Sequence, residues 1–125
     1  PRAGRPQPDA IIVQEYDTRF EVRLHDGFST GLFLEHREHR RALAARGPRR
    51  ALNLFAYTCA FAVSLAGRGS QVTNVDVSSR YLAWGRRNLE LNGHSPGDAR
   101  FYRMDALEYL AYAARRRDER FDLVI

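Results

Sequence analysis

The feature that most constrains the fold of this chain is a regular alternation, from residue 51 onward, of short apolar runs with helix-compatible segments. Ala51-Leu52-Asn53-Leu54-Phe55, Gln71 to Asp76, Phe101 to Met104 and Phe121 to Ile125 read as strands buried in a sheet. Between them, Ala60 to Ala66 predicts a small-residue helix. Ser78 or Ser79 can cap a second helix that runs to about Leu91 and stops at Asn92-Gly93. Leu107 to Arg116 predicts a third, and His94 to Asp98 a loop. Strands joined through helices at this spacing pair in parallel with right-handed crossovers, so the expected class is α/β, a parallel sheet with flanking helices.

The region before residue 51 differs. Three prolines, two arginines and a glycine in the first eight residues disfavour helix and strand alike, and residues 1–18 are read as a linker leading into the domain. Apolar residues alternate with charges in Phe20-Glu21-Val22-Arg23-Leu24, the pattern of a half-buried strand, and Asp26-Gly27 supplies a turn. Gly31 to Leu34 predicts a second extended piece, giving a short β-hairpin-like extension, and Glu35 to Arg46 a helix ended by Gly47-Pro48. The chain begins at Pro1 without Met and stops at Ile125 inside an apolar run, so it is read as a fragment of a longer protein.

Composition narrows the function classes. The formal net charge is +5, and all 20 basic residues are arginine. Arginine suits forked contacts to phosphate and stacking on bases, which allows a nucleic-acid partner; a set of solvated surface charges accounts for the same composition. The single Cys59 excludes an internal disulfide framework and a cysteine metal cluster, and points to a reducing, cytoplasmic setting. No stretch approaches the length needed to span a bilayer, so no membrane partner is expected, and the four histidines show no metal-ligand spacing, so no metal is expected. Oligomeric state is left open.

In an open parallel sheet, ligands bind beyond the carboxyl ends of the strands, where helix N-termini present free N–H groups. The residues to read are therefore Asn53 to Cys59, then Asp76, then Asp105. Asp76 follows Asn53 by 23 residues, close to the interval at which such folds place an acid for ribose hydroxyls; capping the next helix is the alternative role. Asp105 can accept from an exocyclic amine such as that of adenine, or cap the helix after it. The first loop has no glycine to let backbone approach a pyrophosphate, which disfavours a dinucleotide and leaves room for a nucleoside without phosphates, such as S-adenosylmethionine. Tyr81 and Trp84 are read as packing against the sheet, and Cys59 as a buried small residue and not a nucleophile.

Taken together, Thr30-Gly31-Leu32-Phe33-Leu34-Glu35-His36-Arg37-Glu38-His39-Arg40-Arg41, Asn53-Leu54-Phe55-Ala56-Tyr57-Thr58, Val75-Asp76-Val77-Ser78 and Asn88-Leu89-Glu90-Leu91-Asn92-Gly93 resemble bacterial class I methyltransferases that act on large-subunit ribosomal RNA, of cytosine-C5 or guanine-N7 type. The resemblance runs from Arg19 to Ile125. It implies a partial Rossmann-like fold in which residues 19–50 form a β extension and helix covering the cofactor site. Residues 51–125 would form the N-terminal half of the S-adenosylmethionine-binding domain. By the same resemblance, Asn53 to Cys59 forms the loop around the methionine part of the cofactor, with Asn53, Phe55, Tyr57 and Thr58 as contacts. Asp76 takes the ribose, Val77 is a further cofactor contact, and Asp105 with Ala106 lies beside the adenine. Phe33 to Arg37 folds over the cofactor with Arg37 near its carboxylate, whereas Arg40 and Arg41 are read as a solvated helix face. The sequence departs from the family in having Cys59-Ala60 where Gly-Gly is usual. The family's next motif, Asp-Pro-Pro, would begin just after Ile125, so no catalytic residue is expected within the chain. A noncatalytic nucleoside- or RNA-binding module and a small-molecule methyltransferase are the alternatives.

Overall fold

The computed structural model describes residues 9–25 and 30–125. Its centre is a four-stranded parallel sheet, and its elements are β1 (Ala10–Glu15), β2 (Thr18–Arg23), α1 (Arg37–Ala45), β3 (Arg50–Leu54), α2 (Ala60–Ala66), β4 (Gln71–Asp76), α3 (Ser79–Leu91), β5 (Arg100–Arg103), α4 (Ala106–Ala114) and β6 (Leu123–Val124). Strand order is β5-β4-β3-β6. The register pairs Ala51 with Val72 and Asn53 with Asn74, and because side chains alternate across a strand, two distinct faces result. On one, Ala51 and Val72 pack against Ala62 and Leu65 of α2 and Leu82 of α3. On the other, Leu52, Val75 and Tyr102 meet Tyr109 and Tyr112 of α4. The order reverses at β3, so the crevice expected of such a sheet opens beyond the ends of β3 and β6.

The N-terminal region departs from the sequence reading. Residues 10–15, read as part of a linker, are strand β1, paired antiparallel with β2 from Ala10↔Arg23 to Glu15↔Thr18. The linker character of the first eight residues and the turn at Asp26-Gly27 lie outside the described residues. Residues 31–34 form no strand; one 3-10 turn, Leu34–His36, leads directly into α1.

The hairpin is a third layer over α2 and α3, with Phe20, Val22 and Leu32 packed on Val63 and Leu89. The edge of β2 that faces away from β1 is satisfied by side chains of α3 at helical spacing. Asn92 accepts from Arg19 N–H at 2.8 Å and donates to Arg19 O at 2.7 Å, Asn88 accepts from Glu21 N–H at 2.8 Å, and Trp84 Nε1 donates to Glu21 O at 3.0 Å. Positions i, i+4 and i+8 on one helix face thus replace a neighbouring strand. Trp84 consequently packs against the hairpin rather than the central sheet, with Arg23 stacked 3.9 Å from its ring centroid. The α3 helix ends as expected, with Gly93 at φ 77° and His94 N–H bonded back to Leu89 O. Among the described residues, no helix is long and apolar enough to cross a membrane.

Candidate functional site

The chain leaves β3 at Leu54 and reaches α2 through Phe55-Ala56-Tyr57-Thr58-Cys59. Phe55, Tyr57 and Cys59 have φ of 51°, 53° and 61°. Each left-handed non-glycine residue costs roughly 1–2 kcal/mol, so the loop holds its shape only because neighbours fasten it. Ala56 N–H donates to Val75 O at 2.9 Å, and Thr58 Oγ1 donates to Gly31 O. Asn88, whose Oδ1 already holds β2, donates from Nδ2 to Thr58 O at 3.0 Å. The Asp76 carboxylate accepts from Tyr57 N–H with one oxygen and from Ser78 N–H with the other, both at 2.9 Å. Tethers to β4, α3 and the residue 31 segment therefore fix a loop that contains no glycine.

These bonds refine the roles open for the two acids. The N-cap of α3 is Ser78, which accepts from Tyr81 N–H at 3.2 Å, so Asp76 brackets the loop and the approach to the helix. A carboxylate offers about four acceptor positions, and the two bonds to Asp76 leave capacity for hydroxyl donors. Asp105 does cap α4: its Oδ1 accepts from Leu107 N–H at 2.9 Å and Glu108 N–H at 3.3 Å, and its Oδ2 takes neither bond. The ends of β4 and β5 are joined by Met104 N–H to Asp76 O at 3.1 Å, which brings Asp105 and the buried Ala106 beside Asp76 and Val77. Val77 and Leu107 are large apolar side chains left exposed at these adjacent strand ends.

A cavity of about 150 Å³ lies between the loop and the residue 31–40 segment, lined by Phe33, His36, Arg40, Asn53, Tyr57 and Phe61 among others. Phe33 closes one side with its ring centroid 5.5 Å from that of Tyr57, and Tyr81 meets Tyr57 edge-on at 4.5 Å. Asn53 is buried in β3 and donates from Nδ2 to Asn74 Oδ1 at 3.1 Å.

The structure therefore brings Phe33, Asn53, Phe55, Tyr57 and Thr58 around one cavity, with Asp76 bonded to its loop. Arg37 is not among the lining residues. It is exposed, 3.5 Å from Glu38, with its guanidinium 5.7 Å from the Tyr16 ring centroid. Arg40, expected on a solvated face, is 2% exposed and lines the cavity. Its Nε and Nη2 donate to the two oxygens of Glu15 at 2.9 and 2.6 Å, and Nη1 donates to Phe33 O at 3.1 Å. Strand β1 supplies the counter-charge that makes this burial tolerable. Sequence reasoning missed Phe61 and included His36 only within the Phe33 to Arg37 segment expected over the cofactor; the spacing of Phe33, His36 and Arg40, three and four apart, was the available signal for a shared face.

The chemistry of the lining suits a nucleoside with an amino-acid tail better than a diphosphate. Arg40 is the cation of the cavity, and its charge is committed to Glu15. Cys59 is fully buried, and burial first, then the Asp76 charge, pushes its thiol far above the ordinary range, so it is a neutral packing group. Among the described residues no three His, Cys, Asp or Glu side chains gather to hold a metal.

The family model described as S-adenosylmethionine-dependent methyltransferase matches residues 3–125. The ribosomal RNA large subunit methyltransferase K/L of Aeromonas hydrophila is 43% identical over 115 residues, covering 90% of this chain and 15% of its own length. Its counterpart in Pseudoalteromonas translucida is 40% identical over 114 residues, covering 90% of this chain and 16% of its own length. The chain thus spans about one sixth of these curated relatives. Among solved structures, SMU.776 in complex with SAH superposes with a TM-score of 0.89 at 32% identity, covering 98% of this chain and 33% of that one. The SAM-dependent methyltransferase of Agrobacterium tumefaciens does so with 0.88 at 25% identity, covering 96% and 40%.

Proposed function

The chain belongs to the S-adenosylmethionine-dependent methyltransferase family, and we propose that it carries the cofactor side of an enzyme that methylates a base of large-subunit ribosomal RNA. The observation that carries this reading is the Asp76 carboxylate, bonded to the N–H of Tyr57 in a glycine-free loop and retaining acceptor capacity at the carboxyl end of the sheet. The methyltransferases K/L, whose name specifies large-subunit ribosomal RNA, support the substrate. Acting on ribosomes, the protein works in the cytoplasm.

Each residue has a definite task in this reading. Asp76 accepts from the ribose hydroxyls while keeping its backbone bonds, and Val77 packs beside the sugar. Asn53, Phe55, Tyr57 and Thr58 enclose the methionine part, with backbone groups held in place by Asp76 and Asn88. Ala106 and the exposed Leu107 offer apolar surface to the adenine, and the second oxygen of Asp105 accepts from its amine. Phe33, fixed through Arg40, covers the cavity, and Arg40 rather than Arg37 stands at the cavity wall. When bound, the cofactor supplies an electrophilic methyl group on a sulfonium, and the protein contributes rate by holding it in line with a base drawn from its stack. Residues 19–50 serve as the cover and residues 51–125 as the cofactor platform.

Ribosomal RNA from a deletion strain tests the reading. One hypomethylated base, restored by the intact gene and not by an Asp76→Ala version, is expected; fully modified ribosomal RNA in the deletion strain overturns the substrate.

A further inference from the structure

We propose that the end of the molecule opposite the cofactor loop is a second RNA-contact surface, built from the arginines at the starts of β3 and β6 and at the close of α4. The segments 46–50 and 115–122 meet there: the Asp122 carboxylate accepts from Arg49 N–H at 3.0 Å and Arg50 N–H at 2.9 Å, and Arg50 Nη1 donates to Asp118 O at 3.0 Å. The two segments hold seven arginines and three acids, four of the formal +5 charges of the whole chain.

The acids at this end are already occupied. Asp122 is taken by main-chain N–H groups, Glu119 is buried between Arg100 and the Tyr109 hydroxyl, and Asp118 faces Arg116 at 3.5 Å. Some arginines elsewhere are matched, Arg40 by Glu15 and Arg23 and Arg87 by Glu21, but nowhere else in the sequence do so many fall in two adjoining segments. Here Arg46, Arg49, Arg115, Arg117 and Arg120 are exposed and, among the described residues, make no ion pair within 4.0 Å. Helix dipoles account for Arg46 and Arg115 alone, which cap the C-terminal ends of α1 and α4. Arg49, Arg117 and Arg120 lie outside the helices, and Arg49 and Arg120 border an open groove of about 630 Å³ beside Phe121. Forked cations that make no close ion pair, spread along a shallow groove, match a phosphate backbone, whose binding is driven by counterion release.

The inference rests on the ribosomal RNA reading and separates from it in the test. Binding of transcribed large-subunit ribosomal RNA is measured against salt concentration for the wild type and for the combined variant Arg49→Gln, Arg115→Gln, Arg117→Gln, Arg120→Gln, with polyglutamate as a second polyanion. Loss of four phosphate contacts lowers the slope of log K against log salt by about 3 and weakens binding at least about tenfold, while S-adenosylmethionine affinity stays unchanged and reports an intact fold. An unchanged slope overturns the surface and leaves the methyltransferase reading standing. Polyglutamate bound as tightly as RNA through the same arginines overturns RNA as the partner. Loss of RNA affinity in the variant, with no methyl transfer by the wild type, supports the surface and removes ribosomal RNA as the methylated substrate.

Discussion

The Cys59 side chain occupies the space that a side chain on Gly85 would need: a Cβ built on Gly85 falls 2.4 Å from Cys59 Sγ and 2.8 Å from its Cβ. The left-handed start of α2 and a bare position on α3 are therefore one packing arrangement, in which the loop accepts a side chain at Cys59 because the facing helix gives one up.

Gly85→Ala should destabilise the protein by about 1–3 kcal/mol through overpacking, despite alanine's better helix propensity. Cys59→Gly relieves the backbone at φ 61° and opens space, so the double variant should be more stable than Gly85→Ala alone. Urea midpoints of the four proteins check this; additive losses would show that the two positions do not share the space.

Burial sets the chemistry of that thiol. Cys59 is fully buried, and burial with the Asp76 charge raises its pKa. At neutral pH a thiol reagent should label the native protein only as fast as it opens, and rapidly in denaturant. A raised folded-state pKa means that this contribution to stability is complete below the ordinary thiol value of about 8.5 and declines as pH rises above it. Prompt stoichiometric labelling of the native protein would restore Cys59 as a reactive group.

The Glu15–Arg40 pair joins β1 to the cavity wall with both side chains buried. Glu15→Ala leaves an uncompensated guanidinium and should cost about 3–5 kcal/mol, whereas Glu15→Met with Arg40→Met together should recover much of the loss. Thermal unfolding distinguishes the two, and equal losses would place the energy in packing instead of charge.

Asn88 ties Thr58 O to Glu21 N–H, and Asn88→Leu strands both groups inside the protein. A cost of about 2–4 kcal/mol follows, with faster amide exchange at Glu21 as its local signature. Unaltered exchange at Glu21 would mean that the amide is not the tether.

The parts of the fold that are local were legible in the sequence, and the parts set by distant partners were not. Ala60–Ala66 and Gln71–Asp76 are the helix and strand expected, because each carries its own apolar pattern. Strand β1 was hidden: Ile11-Ile12-Val13 has no alternation, and it is a strand only through pairing with β2, whose far edge depends on Asn88 and Asn92. Arg40 reads as a surface residue until Glu15, 25 positions earlier, arrives beside it. The positions of Asp76 and Asp105 at the ends of β4 and β5 followed from the strand–helix alternation. The left-handed Phe55, Tyr57 and Cys59 did not, since side chains that disfavour this conformation are held in it by Asp76 and its neighbours.

Calorimetric titration with S-adenosylmethionine tests the central claim most directly. The wild type should bind, and Asp76→Ala, losing the ribose acceptor and the brace on Tyr57, should bind at least about tenfold more weakly, the equivalent of about 1.4 kcal/mol. No binding by the wild type, or equal affinity in the two proteins, would contradict the assignment of Asp76 and its loop to the cofactor.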